Sequence, residues 1–310
     1  MFERIKNMSN TAKGIILAGS ASVSWGIAGV ITQFVSQNES IPASWFLSAR
    51  TSGAGLILLA VSALVYRGRI FNIFKSWKSI MILIAYGLFG LAANMGSFYV
   101  SIQNGNAAAT TILQYLAPLF IVLGSFIFQH KKPVKMDLVV FVIAIVGVFL
   151  SITKGDISQL SIPMDSFIWG LISGVTAALY VVLPRSLGKD NPPIVVMGWG
   201  TLIASIAFNL NHPVWTNVPH LTSGAILGVL GIIFFGTLLT FSTLIYASRF
   251  TSSEVISLMD ALQPVSTFIL SVIFFHAALS LAEVVGAILV ILAIYLLQYS
   301  QRNDPTKLNL

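Results

Sequence analysis

The chain consists mainly of long apolar stretches that are separated by short polar connections. The ten stretches cover residues 13–36, 43–66, 79–101, 105–129, 136–153, 164–184, 192–210, 221–248, 252–275 and 279–299. A helix of about 20 apolar residues crosses a hydrocarbon core about 30 Å thick. The pattern therefore predicts an all-α polytopic membrane protein with ten transmembrane helices. It leaves no room for a separate soluble catalytic domain.

The distribution of charge predicts the topology of these helices. Of the 17 Lys and Arg residues, fifteen lie in the two terminal segments and the even-numbered loops. Lys154 is the one cation in an odd-numbered loop, and Arg50 lies inside the second stretch. Cytoplasmic loops are rich in Lys and Arg, so both termini are expected in the cytoplasm of a multi-pass plasma membrane protein. The same alternation explains the net charge of +7 without nucleic acid as a partner.

The two halves of the chain resemble each other at an offset of 146 residues. Leu116-Ala-Pro118 aligns with Leu262-Gln-Pro264, and His130 aligns with His276 at the same register. Each half contains five predicted helices, an odd number, so the second half enters the membrane in the opposite orientation. We therefore predict two inverted repeats, 13–153 and 164–299, an architecture typical of secondary transporters.

The residues also resemble a known family. Trp25-Gly26 in the first helix, Arg50 in the second and the segment Asn106-Ala-Ala-Ala-Thr-Thr-Ile-Leu-Gln-Tyr-Leu-Ala-Pro118 in the fourth are similar to the EamA type of the drug/metabolite transporter superfamily. Within it, the chain resembles the YicL-like inner-membrane transporters. This resemblance implies a fold of ten helices and the export or facilitated passage of small metabolites, often amino acids.

Asp260 is the leading candidate for a functional residue. It lies nine residues into the ninth stretch, about 14 Å deep by helical rise, where a carboxylate costs about 2.5–3.5 kcal/mol. We interpret it as a pathway residue that binds a substrate ammonium group or carries a proton; the alternative is a structural acid that neighbouring hydroxyls satisfy. Gln114 is its equivalent in the first repeat. Pro118 and Pro264 follow these two residues, and they are predicted to kink both helices because proline lacks the backbone N–H.

Further polar and aromatic candidates lie within other helices. Asn94, Thr240 and Thr243 lie in the third and eighth, where they could line the pathway or join helices by hydrogen bonds. Trp25 and Tyr180 lie deep in the first and sixth, where an aromatic side chain packs against its neighbours or contacts a substrate.

Arg50 lies about 10 Å inside the second helix by the same helical rise. It could snorkel towards the membrane surface, pair with an acid, or hold a substrate carboxylate. We favour the first two, which are structural roles.

These patterns together predict a secondary transporter that moves small organic metabolites, amino acids or amines, outwards by alternating access. The expected partners are a small-molecule substrate and the lipid bilayer; no cofactor or metal is expected, and proton coupling and homo-oligomer formation stay open. The alternatives are an intramembrane enzyme, which would need several His or acidic residues at one depth, and a non-transporting scaffold or receptor.

Overall fold

The computed structural model describes residues 10–130, 135–156, 159–278 and 280–302, and their secondary structure is helical. The spanning helices are α1 (Asn10–Gln33, continued by a π-helical turn over Phe34–Asn38), α2 (Ala43–Tyr66), α3 (Trp77–Ala85, π-helical over Tyr86–Ala92, then Ala93–Asn104), α4 (Ala107–Gln114 and Ala117–Gln129), α5 (Lys135–Thr153), α6 (Met164–Val182), α7 (Pro193–Asn211), α8 (Ser223–Ile233, π-helical over Phe234–Leu239, then Thr240–Ala247), α9 (Ser253–Met259 and Leu262–Phe275) and α10 (Leu281–Arg302). Short 3-10 helices occupy Arg67–Lys75, Leu183–Arg185 and Leu187–Lys189.

The ten-helix prediction is confirmed, with the fourth and the ninth helix each in two pieces. Within the described residues, nine helices are long and apolar enough to cross a membrane. The remaining crossing is α9, whose longer piece, Leu262–Phe275, is a shorter apolar helix. Its interruption falls at Asp260 and Ala261.

The fourth and ninth helices are interrupted at equivalent positions of the two repeats. The first piece of α4 ends at Gln114, and the first piece of α9 ends just before Asp260. Pro118 and Pro264 lie in the first turn of the second pieces. Since proline has no N–H to donate to the preceding turn, the regular hydrogen-bond ladder cannot continue through either position.

The third and eighth helices also share an irregularity. The π-helical turn of α3 ends at Ala92, two residues before Asn94, and that of α8 ends at Leu239, next to Thr240. Asn94 and Thr240 are equivalent at the 146-residue offset. Such turns are rare within α-helices and are frequent at functional sites.

The packing of the helices is reciprocal between the repeats. Helix α1 packs against α8 and α9 of the second repeat, whereas α6 packs against α3 and α4 of the first. The most extensive pairs are α5 with α10 and α2 with α7. Inverted repeats related by a pseudo-two-fold axis produce this exchange of partners.

Glycines permit the closest helix contacts. A Cβ added to Gly174 of α6 would lie 2.8 Å from the carbonyl oxygen of Leu113, and one added to Gly286 of α10 would lie 2.4 Å from that of Gly147 in α5. Small residues at helix crossings allow two backbones to approach in this way. The contact at Gly174 brings α6 directly against the interrupted part of α4.

Candidate functional site

A cavity of about 950 Å³ lies between the two repeats. It contains seven of the ten residues predicted for the site: Trp25, Arg50, Asn94, Gln114, Pro118, Tyr180 and Asp260. The other three, Thr240, Thr243 and Pro264, lie outside its lining. The interruptions of α4 and α9 thus face the same space.

Asp260 lies at the interruption of α9 and lines the cavity. Ser22 Oγ of α1 donates a hydrogen bond to Asp260 Oδ1 over 3.2 Å. Among the described residues, no cation forms an ion pair with Asp260. A carboxylate at membrane depth without a cationic partner is free to bind a cation or a proton from the cavity.

Gln114 lines the cavity at the equivalent interruption of α4. Its Nε2 donates a hydrogen bond to Oγ of Ser173 over 2.9 Å. Ser173 is fully buried in α6. The amide of Gln114 therefore joins α4 to α6 beside the cavity.

The other predicted polar residues mainly bond to backbone groups. Asn94 Nδ2 donates to the carbonyl oxygen of Ser173 over 3.0 Å and joins α3 to α6. The Thr240 hydroxyl, fully buried, donates to the carbonyl oxygen of Phe235 over 2.5 Å. Thr243 donates to a carbonyl oxygen one turn earlier in α8, over 2.8 Å. This hydrogen bond between α3 and α6 agrees with the interpretation of Asn94 as a residue that joins helices.

The two deep aromatics line the cavity and pack against other rings. Trp25 meets Phe241 edge to face, with ring centroids 5.8 Å apart. Tyr180 stacks on Tyr86 with centroids 5.9 Å apart and an interplanar angle of 30°. Both rings are therefore held in fixed orientations at the cavity wall.

The EamA-like transporter family matches this chain twice, over residues 12–153 and 165–299. The chain belongs to this family. The EamA domain is thus present as two repeats, which agrees with the reciprocal packing of α1 and α6. The protein is a multi-pass membrane protein of a transporter family.

Relatives of this EamA-like chain agree with the assignment. It is 27% identical to the uncharacterized inner membrane transporter YicL of Salmonella typhimurium, over 95% of this chain and 98% of that protein. It is 24% identical to a WAT1-related chloroplastic protein of Arabidopsis thaliana, over 90% of this chain and 68% of that protein. A crystal structure with 16% identity aligns with a TM-score of 0.63 over 94% of this chain and 98% of that one, which shows a shared fold.

Arg50 of this EamA-like protein has an unusual environment. It lines the cavity, and its Nε atom is buried without a hydrogen-bond partner. Among the described residues, no acid forms an ion pair with it. The sequence left three roles open for Arg50. For one of them, pairing with an acid, Arg50 has no acidic partner in the described part of the chain.

The cavity reaches one face of the membrane domain. Its lining continues to Arg185, which follows α6, and to Gln298 and Tyr299 near the end of α10. This is the face with the Lys- and Arg-rich loops. Tyr299 is 55% exposed there, which fits an opening rather than a packed core.

Hydrogen bonds close the opposite face. Gln37 Nε2, at the end of α1, donates to the carbonyl oxygens of Ile102 and Gly105, over 2.8 and 2.7 Å. The buried Tyr99 hydroxyl donates to the carbonyl oxygen of Ile41 over 2.6 Å. Further bonds on this face join Trp45 to Val214, Gln33 to Ala107 and Thr222 to Glu39. The helix ends at this face are therefore joined by hydrogen bonds, both within the first repeat and between the repeats.

Three hydroxyl residues of the site were not singled out from the sequence. Ser22 contacts Asp260, and Thr111 and Thr237 line the cavity with buried hydroxyls. Thr111 belongs to the segment of the fourth helix that resembles the family, and this resemblance could have identified it from the sequence. Ser22 and Thr237 resemble the many other hydroxyl residues of the spanning helices, so no sequence signal distinguishes them.

Proposed function

We propose that this protein is a secondary transporter that moves small organic metabolites carrying an amine, amino acids above all, across the plasma membrane by alternating access. Export is the direction that the family resemblance favours. One observation carries the substrate class: Asp260 lines the cavity and has no cationic partner among the described residues. An ammonium group can supply the missing charge.

The position of Asp260 supports this role. Helix termini and unwound backbone at the interface of inverted repeats form the substrate and ion sites of many transporters. Asp260 and its equivalent Gln114 lie at the two helix interruptions that face the cavity. A substrate bound there would contact both repeats and would therefore respond to their relative movement.

The asymmetry of the cavity supports alternating access. Alternating access needs a central site that is open to one side at a time. From the distribution of Lys and Arg we expect the open end in the cytoplasm, together with both termini. Movement of one repeat against the other would then require the bonds of Trp45 to Val214 and of Thr222 to Glu39 on the outer face to break while the inner end closes.

Proton coupling has a simple basis at the same residue. A single carboxylate binds either a proton or an ammonium group, so the two compete. Such competition is the minimum arrangement for exchange of a cationic substrate against protons. Asp260 is the residue we assign to this exchange.

A binding screen tests the substrate class. Purified protein is heated with pairs of metabolites that differ only in the presence of an amine, and stabilisation is measured as a shift in melting temperature. We expect stabilisation by the amine-bearing member of a pair, and recovery of that compound chemically unchanged. Stabilisation by the amine-free members alone would contradict the proposal, and chemical conversion of the bound compound would favour the intramembrane enzyme.

A further inference from the structure

Three residues that line the cavity have a buried polar atom without a hydrogen-bond partner. These atoms are Nε of Arg50 and the hydroxyl oxygens of Thr111 and Thr237. The two threonines are only 1% and 3% exposed, and all three residues line the cavity. A buried polar group without a hydrogen bond is costly. Three such atoms on residues of one cavity lining call for an explanation, and a ligand of the cavity is one that supplies partners to all three.

Small residues of α1 and α8 lie beside these groups. A Cβ added to Gly236 would lie 3.4 Å from Nη2 of Arg50 and 3.1 Å from the Cβ of Ala28 in α1. A Cβ added to the next residue of α1, Gly29, would lie 3.8 Å from the Thr111 hydroxyl oxygen. Thr237 follows Gly236 directly. Arg50 of α2 and Thr111 of α4 thus lie beside neighbouring residues of α1, and Thr237 of α8 lines the same cavity.

The chemistry of this group of donors suits a carboxylate. A guanidinium presents several N–H donors in a planar arrangement that matches two carboxylate oxygens. A threonine hydroxyl adds one donor each. We propose that Arg50, Thr111 and Thr237 form the binding site for a carboxylate of the substrate. This inference rests on the proposed function, since it adds the second end of a substrate whose ammonium group binds Asp260.

The two charged ends of the site are separated along α1. Asp260 contacts Ser22, whereas Arg50 lies beside Ala28 across Gly236. Six residues of helix correspond to an axial rise of about 9 Å. Asp260 belongs to α9 and Arg50 to α2, so this rise is a lower bound on the distance between the two charged groups. With two hydrogen bonds of about 3 Å each, a ligand that contacts both groups carries its ammonium and carboxylate at least about 3 Å apart.

Four probes that differ at one end test this site. They are 2-aminobutyrate with both groups close together, 4-aminobutyrate with both groups far apart, propylamine with the amine alone and butyrate with the carboxylate alone. Dissociation constants are measured by calorimetry on the purified full-length protein at constant ionic strength. We expect the two aminobutyrates, which carry both groups, to bind the wild type more tightly than butyrate and propylamine, and the order of the two aminobutyrates reports the separation of the charged groups in the site.

Substitutions identify the groups responsible. Arg50→Gln should weaken 2-aminobutyrate and butyrate about 10- to 100-fold, because a hydrogen bond to a charged group is lost, and should leave propylamine unchanged. Arg50→Lys should weaken the same two probes, since an ammonium cannot reproduce the two-point contact. Thr111→Val and Thr237→Val should each weaken them about 3- to 10-fold. Thr51→Val is the matched control, because Thr51 is buried one residue from Arg50, outside the cavity lining, and bonds to its own helix.

The outcomes separate this inference from the proposed function. If propylamine and 2-aminobutyrate bind through Asp260 while Arg50→Gln changes nothing, the carboxylate site is wrong and the amine site stands. If butyrate binds through Arg50 while no probe depends on Asp260, the carboxylate site stands and the amine proposal fails. Absence of binding to the wild type by all three probes that carry a carboxylate would overturn the inference.

Discussion

Replacement of Asp260 by Asn removes one charge and leaves the shape of the side chain nearly unchanged. The Asn variant keeps a carbonyl oxygen for the hydrogen bond from Ser22 Oγ, which is 3.2 Å long in the wild type. No ion pair is lost among the described residues. A charged carboxylate at the centre of a bilayer costs about 2.5–3.5 kcal/mol. We therefore expect the Asp260→Asn variant to fold with a melting temperature equal to that of the wild type or higher.

Binding should respond in the opposite direction. A hydrogen bond between charged groups contributes about 1.5–3 kcal/mol. Its loss corresponds to about a 10- to 150-fold increase in the Kd of an amine-bearing substrate. If Asp260 only holds the ammonium group, this increase appears at every pH. If it also carries a proton, the wild type should show flux that depends on a pH gradient, and the Asn variant should lose that dependence.

Calorimetric titration with the best compound of the amine screen measures the Kd, and a thermal scan of the same sample measures stability. Asp165→Asn is the matched control, because Asp165 lies exposed in the first turn of α6, outside the cavity lining. An Asp260→Asn variant that binds the substrate as tightly as the wild type, with unchanged stability, would refute the assignment of Asp260 to the site.

The remaining predictions concern neighbouring features. Gln114→Ala removes one neutral hydrogen bond, to Ser173, worth about 0.5–1.5 kcal/mol. The Kd of the amine-bearing substrate should therefore rise less in this variant than in Asp260→Asn. An equal or larger rise in the same titration would contradict this order. Gly286→Ala places a methyl group 2.4 Å from a carbonyl oxygen of α5 and should destabilise the protein by about 1–3 kcal/mol; an unchanged melting temperature would argue against this crossing. Because the chain has no cysteine, an impermeant maleimide tests topology cleanly: Val218→Cys should react in intact cells, and Gly188→Cys only after permeabilisation, whereas the reverse pattern would invert the proposed orientation.

The helices could be predicted from the sequence because the length of an apolar stretch is sufficient to identify a membrane crossing. The irregularities within the helices were harder to predict from the sequence. Pro264 signals a kink, but the sequence does not say that α9 stops at Met259 and begins again at Leu262. The π-helical turns of α3 and α8 contain no proline and gave no signal at all.

The inner surface of the bundle could be predicted only in part. Deep charged and amide residues such as Asp260, Arg50 and Gln114 stand out against apolar neighbours, and the structure brings all three to the cavity. Thr240 and Thr111 look alike in the sequence, yet only Thr111 reaches the cavity. Which hydroxyl faces inwards depends on the rotation of each helix. Helices that are apolar all round carry little information about that rotation.

The sequence also could not show whether Arg50 pairs with an acid. A deep Arg in one helix and a deep Asp in another suggest a salt bridge between them. In the structure Asp260 bonds to Ser22 of α1, Arg50 lies beside Gly236 of α8, and no ion pair joins the two charged residues. A sequence without three-dimensional distances cannot distinguish a pair of charges that neutralise each other from a pair that bind the two ends of a ligand.

The most direct test of the account is solute counterflow in proteoliposomes. Vesicles loaded with an unlabelled excess of the best-bound amine-bearing metabolite are diluted into buffer with a trace of the same compound in radiolabelled form. A transporter with a central alternating site should accumulate label transiently above its equilibrium level, and vesicles with the Asp260→Asn variant should do so far more slowly. Label uptake by wild-type vesicles that matches uptake by protein-free vesicles would contradict the account.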